Sequence, residues 1–152
     1  MIFKVNDIEQ FQTQKQFIDT AIVPLVQLDF SEQGIKQSSS ATEYLMTLTS
    51  FVEQQFRGRL VLIPPFSYTV QTKNDNLTMI LQEQLLEAGF KSVIFMTCDS
   101  AWTQQKESYD IIWLPSIPLE SMDKTVKQRI LEEQIKQIIP ILTKVWSQNG
   151  IN

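Results

Sequence analysis

Four short, almost uninterrupted apolar runs constrain this chain more than any other feature. Residues 20–28 (TAIVPLVQL), 60–63 (LVLI), 91–97 (KSVIFMT) and 109–114 (YDIIWL) are rich in β-branched and aromatic side chains. A strand with one wet face alternates apolar and polar residues, so continuous runs like these read as strands covered on both faces. The segments between them repeat apolar residues at helical spacing. Ala41, Tyr44, Leu45, Leu48, Phe51, Val52 and Phe56 form one such stripe. It opens on Ser40-Ala-Thr-Glu43, the pattern of a capping box. It closes at Gly58, where a left-handed cap is expected.

A second stripe, Leu77, Leu81, Leu85 and Ala88, starts at Asn74 or Asp75 and is capped by Gly89. Asp99 caps a short helical segment through Lys106, and Asp7 caps a short helix ahead of the first run. The longest helix spans residues 123–147 and carries Pro140 inside it. Proline removes one backbone bond there, which predicts a kink or a break.

Strands alternating with helices specify an α/β fold. The expected architecture is a three-layer sandwich around a mostly parallel four-stranded sheet, Rossmann-like or flavodoxin-like, in one domain over residues 1–152. The direction of the last strand stays open, because the crossover 99–108 is near the minimum length of about a dozen residues that a parallel return needs. Pro24 lies within the first strand and has no N–H to give to a ladder. That strand is therefore expected to have an edge, a bulge or an unpaired side at this point.

Composition narrows the chemistry. The net charge is −4, with lysine and arginine scattered and outnumbered. Nucleic-acid binding draws most of its affinity from basic groups, so no nucleic-acid partner is expected. The chain has no histidine and one cysteine, Cys98. Histidine-dependent nucleophile systems, imidazole zinc sites and cysteine-rich metal sites are thereby removed. No intramolecular disulfide can form, which fits a cytoplasmic protein. No apolar stretch approaches the ~20 residues of a membrane helix, and no signal peptide is expected at the start. The four glycines are too dispersed for a phosphate-cradling loop. No cofactor and no metal centre are expected.

In open α/β sheets ligands bind beyond the carboxyl ends of the strands. In this chain those ends are Asp29-Phe30, Pro65-Phe66-Ser67-Tyr68, Thr97-Cys98-Asp99-Ser100 with Trp102 just after, and Pro115-Ser116-Ile117-Pro118. Asp29, Phe66, Tyr68, Asp99, Trp102 and Ser116 are the candidate binding residues, on one rim if the last strand is parallel. The aromatics suit a partner-binding patch, against which stands their use as plugs of the core. Asp29 and Asp99 suit an acid–base pair or a metal, against which stand a turn and a helix cap. Cys98 is expected to be a buried, inert thiol.

Four of these segments also carry a resemblance. Asp19-Thr-Ala-Ile-Val-Pro-Leu25, Gly58-Arg-Leu-Val-Leu-Ile-Pro-Pro-Phe-Ser-Tyr68, Thr97-Cys-Asp-Ser-Ala-Trp102 and Trp113-Leu-Pro-Ser-Ile-Pro-Leu-Glu120 resemble the YpiF-like family of low-GC Gram-positive bacteria. The resemblance spans nearly the whole chain in the same order. It implies a cytoplasmic bacterial protein and carries over no functional residue. The expected function is a non-catalytic protein-binding or regulatory domain, with no catalytic residues assigned. The alternative is a small-molecule or metal-dependent enzyme using Asp29 and Asp99 at the strand ends. Homodimerisation through the Pro140-containing helix is a further expectation about partners.

Overall fold

The computed structural model describes residues 1–150. The first apolar run forms β1 (Thr20–Gln27), the second β2 (Leu60–Leu62), the third β4 (Ser92–Thr97) and the fourth β5 (Asp110–Trp113). A further short strand, β3 (Phe66–Tyr68), follows Pro64-Pro65. Four helices accompany them among the described residues: α1 (Val5–Thr13), α2 (Ile35–Gln55), α3 (Leu77–Ala88) and α4 (Lys124–Gln148). The sheet order is β2-β1-β4-β5, with β3 also paired to β1. Every strand pair is parallel, including β4 with β5. This is the flavodoxin-like order. The last crossover is short enough to be made by a 3-10 segment, Ser100–Gln105.

Side chains alternate across the sheet, and both faces are buried. Ile22, Val26, Ile94, Met96 and Ile112 join Leu45, Leu48 and Val52 of α2 and Ile135, Ile138 and Leu142 of α4 in one core. Ala21, Val23, Leu25, Val93, Phe95 and Ile111 form the other core, with Phe11 of α1 and Trp102. Leu77, Leu81 and Leu85 of α3 pack against that second core. The three-layer sandwich follows from this division.

At Pro24 the ladder on the β2/β3 side of β1 is interrupted, while pairing with β4 keeps its register. The Ile22 carbonyl accepts from Ile63 N, and Leu28 N donates to the Tyr68 carbonyl. Backbone groups of alternate residues face the same edge, so Pro24 also faces the β2/β3 side. Its missing donor therefore lies at the break made by Pro64-Pro65. The pairing slips there by one residue, from Ile22↔Leu62 to Leu25↔Phe66. Two proline interruptions therefore coincide. The Pro64-Pro65 pair thus interrupts the strand position without ending it, which is why β3 escapes a reading that stops at proline.

Local expectations are corrected at Ser40 and at Asp7, and of the kink or break expected at Pro140 the break does not occur. Helix α2 starts at Ile35, five residues ahead of Ser40. Ser31 starts it instead: its hydroxyl accepts from Gly34 N and its carbonyl from Ile35 N. Ser40 reaches across to the Glu120 carboxylate. Asp7 lies inside the first turn of α1, where it accepts from Ile2 N at 2.9 Å. Helix α4 runs through Pro140 without a break, with the proline on its exposed side. Asp123, Asp99 and Gly89 cap as their sequence positions predict. Asp123 accepts from Val126 N, Asp99 from Ala101 N, and Gly89 takes φ 116° with its N–H on Leu85 and Leu86 carbonyls.

Tyr44 is fully buried in the first core, and its hydroxyl has no hydrogen-bond partner among the described residues. Burial pushes its ionisation far above the ordinary tyrosine range. An unpaired buried hydroxyl costs about 1–3 kcal/mol. The Tyr44→Phe variant is therefore expected to be more stable to urea than the wild type by about that amount. A destabilised variant would contradict this account.

Candidate functional site

The chain passes from β2 and β3 on one side of β1 to β4 on the other. The carboxyl ends of β1 and β4 thus form the switch point where open α/β sheets bind ligands. A cleft of about 690 Å³ opens there. Its walls come from the end of β1 and the following loop (Gln27 to Ser31), the first turns of α2 (Gly34, Gln37, Ser38, Thr42), the loop after β3 (Thr69, Val70, Gln71), Cys98 and Asp99 after β4, and Ser116 after β5. All four strand positions contribute because β5 is parallel to the rest.

Hydrogen bonds fix the β1–α2 loop. The Ser38 hydroxyl donates to the Gln27 carbonyl at 3.3 Å and accepts from Asp29 N at 2.9 Å. Asp29 Oδ1 accepts from Ser31 N at 2.9 Å. That amide, followed by the Ser31 hydroxyl, holds the exposed Asp29 carboxyl below the usual carboxylate range. The other carboxylate oxygen lies against Gly34. A Cβ built on Gly34 would stand 1.8 Å from Asp29 Oδ2, so only glycine permits this approach.

Asp99 is bound up differently. Its Oδ1 accepts from Ala101 N at 3.0 Å, and its Oδ2 accepts from the Tyr68 hydroxyl at 2.7 Å. Lys73 Nζ lies 3.8 Å from the same Oδ2 and 4.4 Å from the centre of the Trp102 ring. Trp102 Nε1 in turn donates to the Tyr68 hydroxyl at 2.5 Å. Tyr68 and Trp102 meet edge to face, with ring centroids 5.7 Å apart. Burial, then the bond to Asp99, pushes the Tyr68 hydroxyl well above its ordinary range. The carboxylate, the phenol and the indole thus close on one another under the rim.

The six residues named from sequence therefore divide. Asp29, Asp99 and Ser116 line the cleft. Tyr68 and Trp102 are buried, and Phe66 is half-buried against the second core. The expected patch of exposed aromatics at Phe66, Tyr68 and Trp102 is not formed, because these rings plug the sheet end from below. The exposed apolar residues at the cleft are Phe30 and Val70, at 69% and 73%. Phe30 is legible from its place after the first strand. Val70 follows the strand hidden behind Pro64-Pro65, and no sequence signal marks it. Gly34 and Ser31 are likewise invisible before the turn is built.

Cys98 is half-buried on the cleft wall, and burial pushes its thiol up to about 11. Among the described residues no group of three or more His, Cys, Asp or Glu side chains is placed to hold a metal ion. No helix among them is long and apolar enough to cross a membrane.

Two measurements check this geometry. Tyr68→Phe strands the Trp102 N–H and one Asp99 oxygen, and is expected to cost about 1–3 kcal/mol in denaturant unfolding. An unchanged midpoint would remove the network from any structural role. Alkylation of Cys98 by iodoacetamide is expected to rise about tenfold per pH unit up to pH 10, because the thiolate is the nucleophile. A plateau below pH 9 would contradict the burial argument.

The curated "Uncharacterized protein YpiF" of Bacillus subtilis (strain 168) is 29% identical over 153 residues, covering 97% of this chain and 99% of that relative. No solved structure matches the chain. The family model described as "Protein of unknown function (DUF2487)" matches residues 9–146, and with most of its length matched the chain belongs to that family.

Proposed function

We propose that the chain is a non-catalytic binding domain that recognises a protein partner through the cleft at the carboxyl rim. The observation that carries this reading is the pair Phe30 and Val70. Two large apolar side chains on neighbouring loops are about seven-tenths exposed beside a concave surface of mixed polar and apolar lining. Apolar side chains held in water next to a concavity gain free energy when a partner covers them, at roughly 25 cal/mol per Å² of apolar surface removed from water. Both loops are anchored at their bases by β1 and β3, so little ordering cost accompanies binding.

The chemistry of the walls supports binding over turnover. The Cys98 thiol is protonated at neutral pH, with its ionisation pushed up to about 11. Both Asp99 oxygens are engaged by neighbours. The hydroxyls of Ser38 and Thr42 are spent on backbone carbonyls. A general base must reach a substrate proton, and a nucleophile must be activated by a neighbour. The cleft volume also lies in the range that small molecules occupy. The exposed Phe30 and Val70 favour a protein surface over a buried small ligand.

The test is comparative affinity capture from the native host with three forms of the protein. These are the wild type, Phe30→Ser with Val70→Ser, and a control with Met79→Ser and Leu86→Ser on the exposed side of α3. A partner recovered with the wild type and the control but lost from the cleft variant supports the reading. Equal recovery by all three, or no partner with any, overturns it. Circular dichroism should show the same fold in each.

A further inference from the structure

We propose that the segment this cleft takes carries a basic side chain beside an apolar one, the basic group meeting Asp29 and the apolar group meeting Phe30 and Val70. The inference rests on the cleft being a protein-binding site and adds the chemistry of the partner. Two charged residues line the cleft, Asp29 and Asp99. Asp99 is neutralised by Lys73 and closed off by Tyr68. Asp29 takes part in no ion pair among the described residues and is exposed. It is also held by Ser31 N on one oxygen, while the other lies in the space that a side chain on Gly34 would fill. The cleft therefore offers one carboxylate with no ion-pair partner among the described residues, next to two exposed apolar groups.

The same arrangement argues against an anionic partner. The amino end of α2 would ordinarily attract an anion through its free N–H groups and the helix dipole. Here the Asp29 carboxylate already stands against Gly34, the residue that caps that helix. A second negative group would meet repulsion where an open helix end would have attracted it. A lysine or arginine side chain gains both the charge and a contact for its apolar stem.

Backbone amide NMR titrations with three synthetic peptides test this: acetyl-GSLRLSG-amide, acetyl-GSLELSG-amide and acetyl-GSARASG-amide. The first is expected to shift the signals of Asp29, Phe30, Ser31, Gly34, Val70 and Gln71. Replacing its arginine by glutamate should weaken binding roughly two- to fivefold, the scale of an exposed ion pair. Replacing both leucines by alanine should weaken it further. Added salt should shrink the arginine preference. Asp29→Asn should abolish that preference with the leucine dependence intact, and Gly34→Ala should reduce it by displacing the carboxylate. Equal binding of the arginine and glutamate peptides would overturn the charge assignment and leave the cleft as a binding site. So would an arginine preference that survives Asp29→Asn. Failure of all three peptides to shift these signals overturns the inference outright, while the capture comparison decides separately whether the cleft binds a protein.

Discussion

Strand β1 is out of water on every side, and the rest of the structure is arranged around that fact. Its residues from Thr20 to Val26 are all buried, its two faces belong to two different cores, and strands pair with both of its edges. Each backbone N–H and C=O along it must find a partner, because a buried unpaired group costs as much as a lost hydrogen bond. Pro24 is tolerable in such a strand only where no acceptor is waiting. The structure puts it against the Pro64-Pro65 break, so the defects of two strands fall at one point. The slip in register carries β3 past that point and delivers the Thr69–Gln71 loop to the rim.

The rim inherits its character from what lies under it. The Asp99, Tyr68, Trp102 and Lys73 network is a support: it engages one Asp99 oxygen and the buried indole N–H, while Ala101 N donates to the other oxygen. Polar groups buried this way are satisfied and therefore chemically quiet. The outer residues, Asp29, Phe30 and Val70, stay exposed at the cleft. At the opposite end of the sheet a second polar network, in which Trp146 Nε1 donates to the Thr20 hydroxyl and Arg59 stacks on the Trp146 ring at 3.7 Å, pins α4 to β1. One end of the sheet is closed by packing, and the other is open.

Much of the fold is legible in the residues. The runs at 20–28, 60–63, 91–97 and 109–114 are strands because continuous apolar character has one stable use in a chain of this kind, burial on both faces. Asp99, Asp123 and Gly89 announce their caps because capping depends on two or three neighbouring residues. The start of α2 is hidden, because Ser31 and Gly34 act as a pair in a turn and neither matches a common starting pattern. The candidate site is legible in part. Position after a strand picks out Asp29, Asp99 and Ser116, but it cannot tell Phe30, which faces water, from Trp102, which faces the core.

The α/β layering, the two buried faces of the sheet and the absence of histidine chemistry are written in the residues, since each depends on local periodicity or on which residue types are present. The parallel run of β5, the existence of β3 and the Tyr68 and Trp102 bonds around Asp99 emerge once the chain is folded. Strand direction, side-chain facing and hydrogen-bond partners are set by contacts between residues such as Tyr68 and Asp99, 31 positions apart, and no local pattern encodes them.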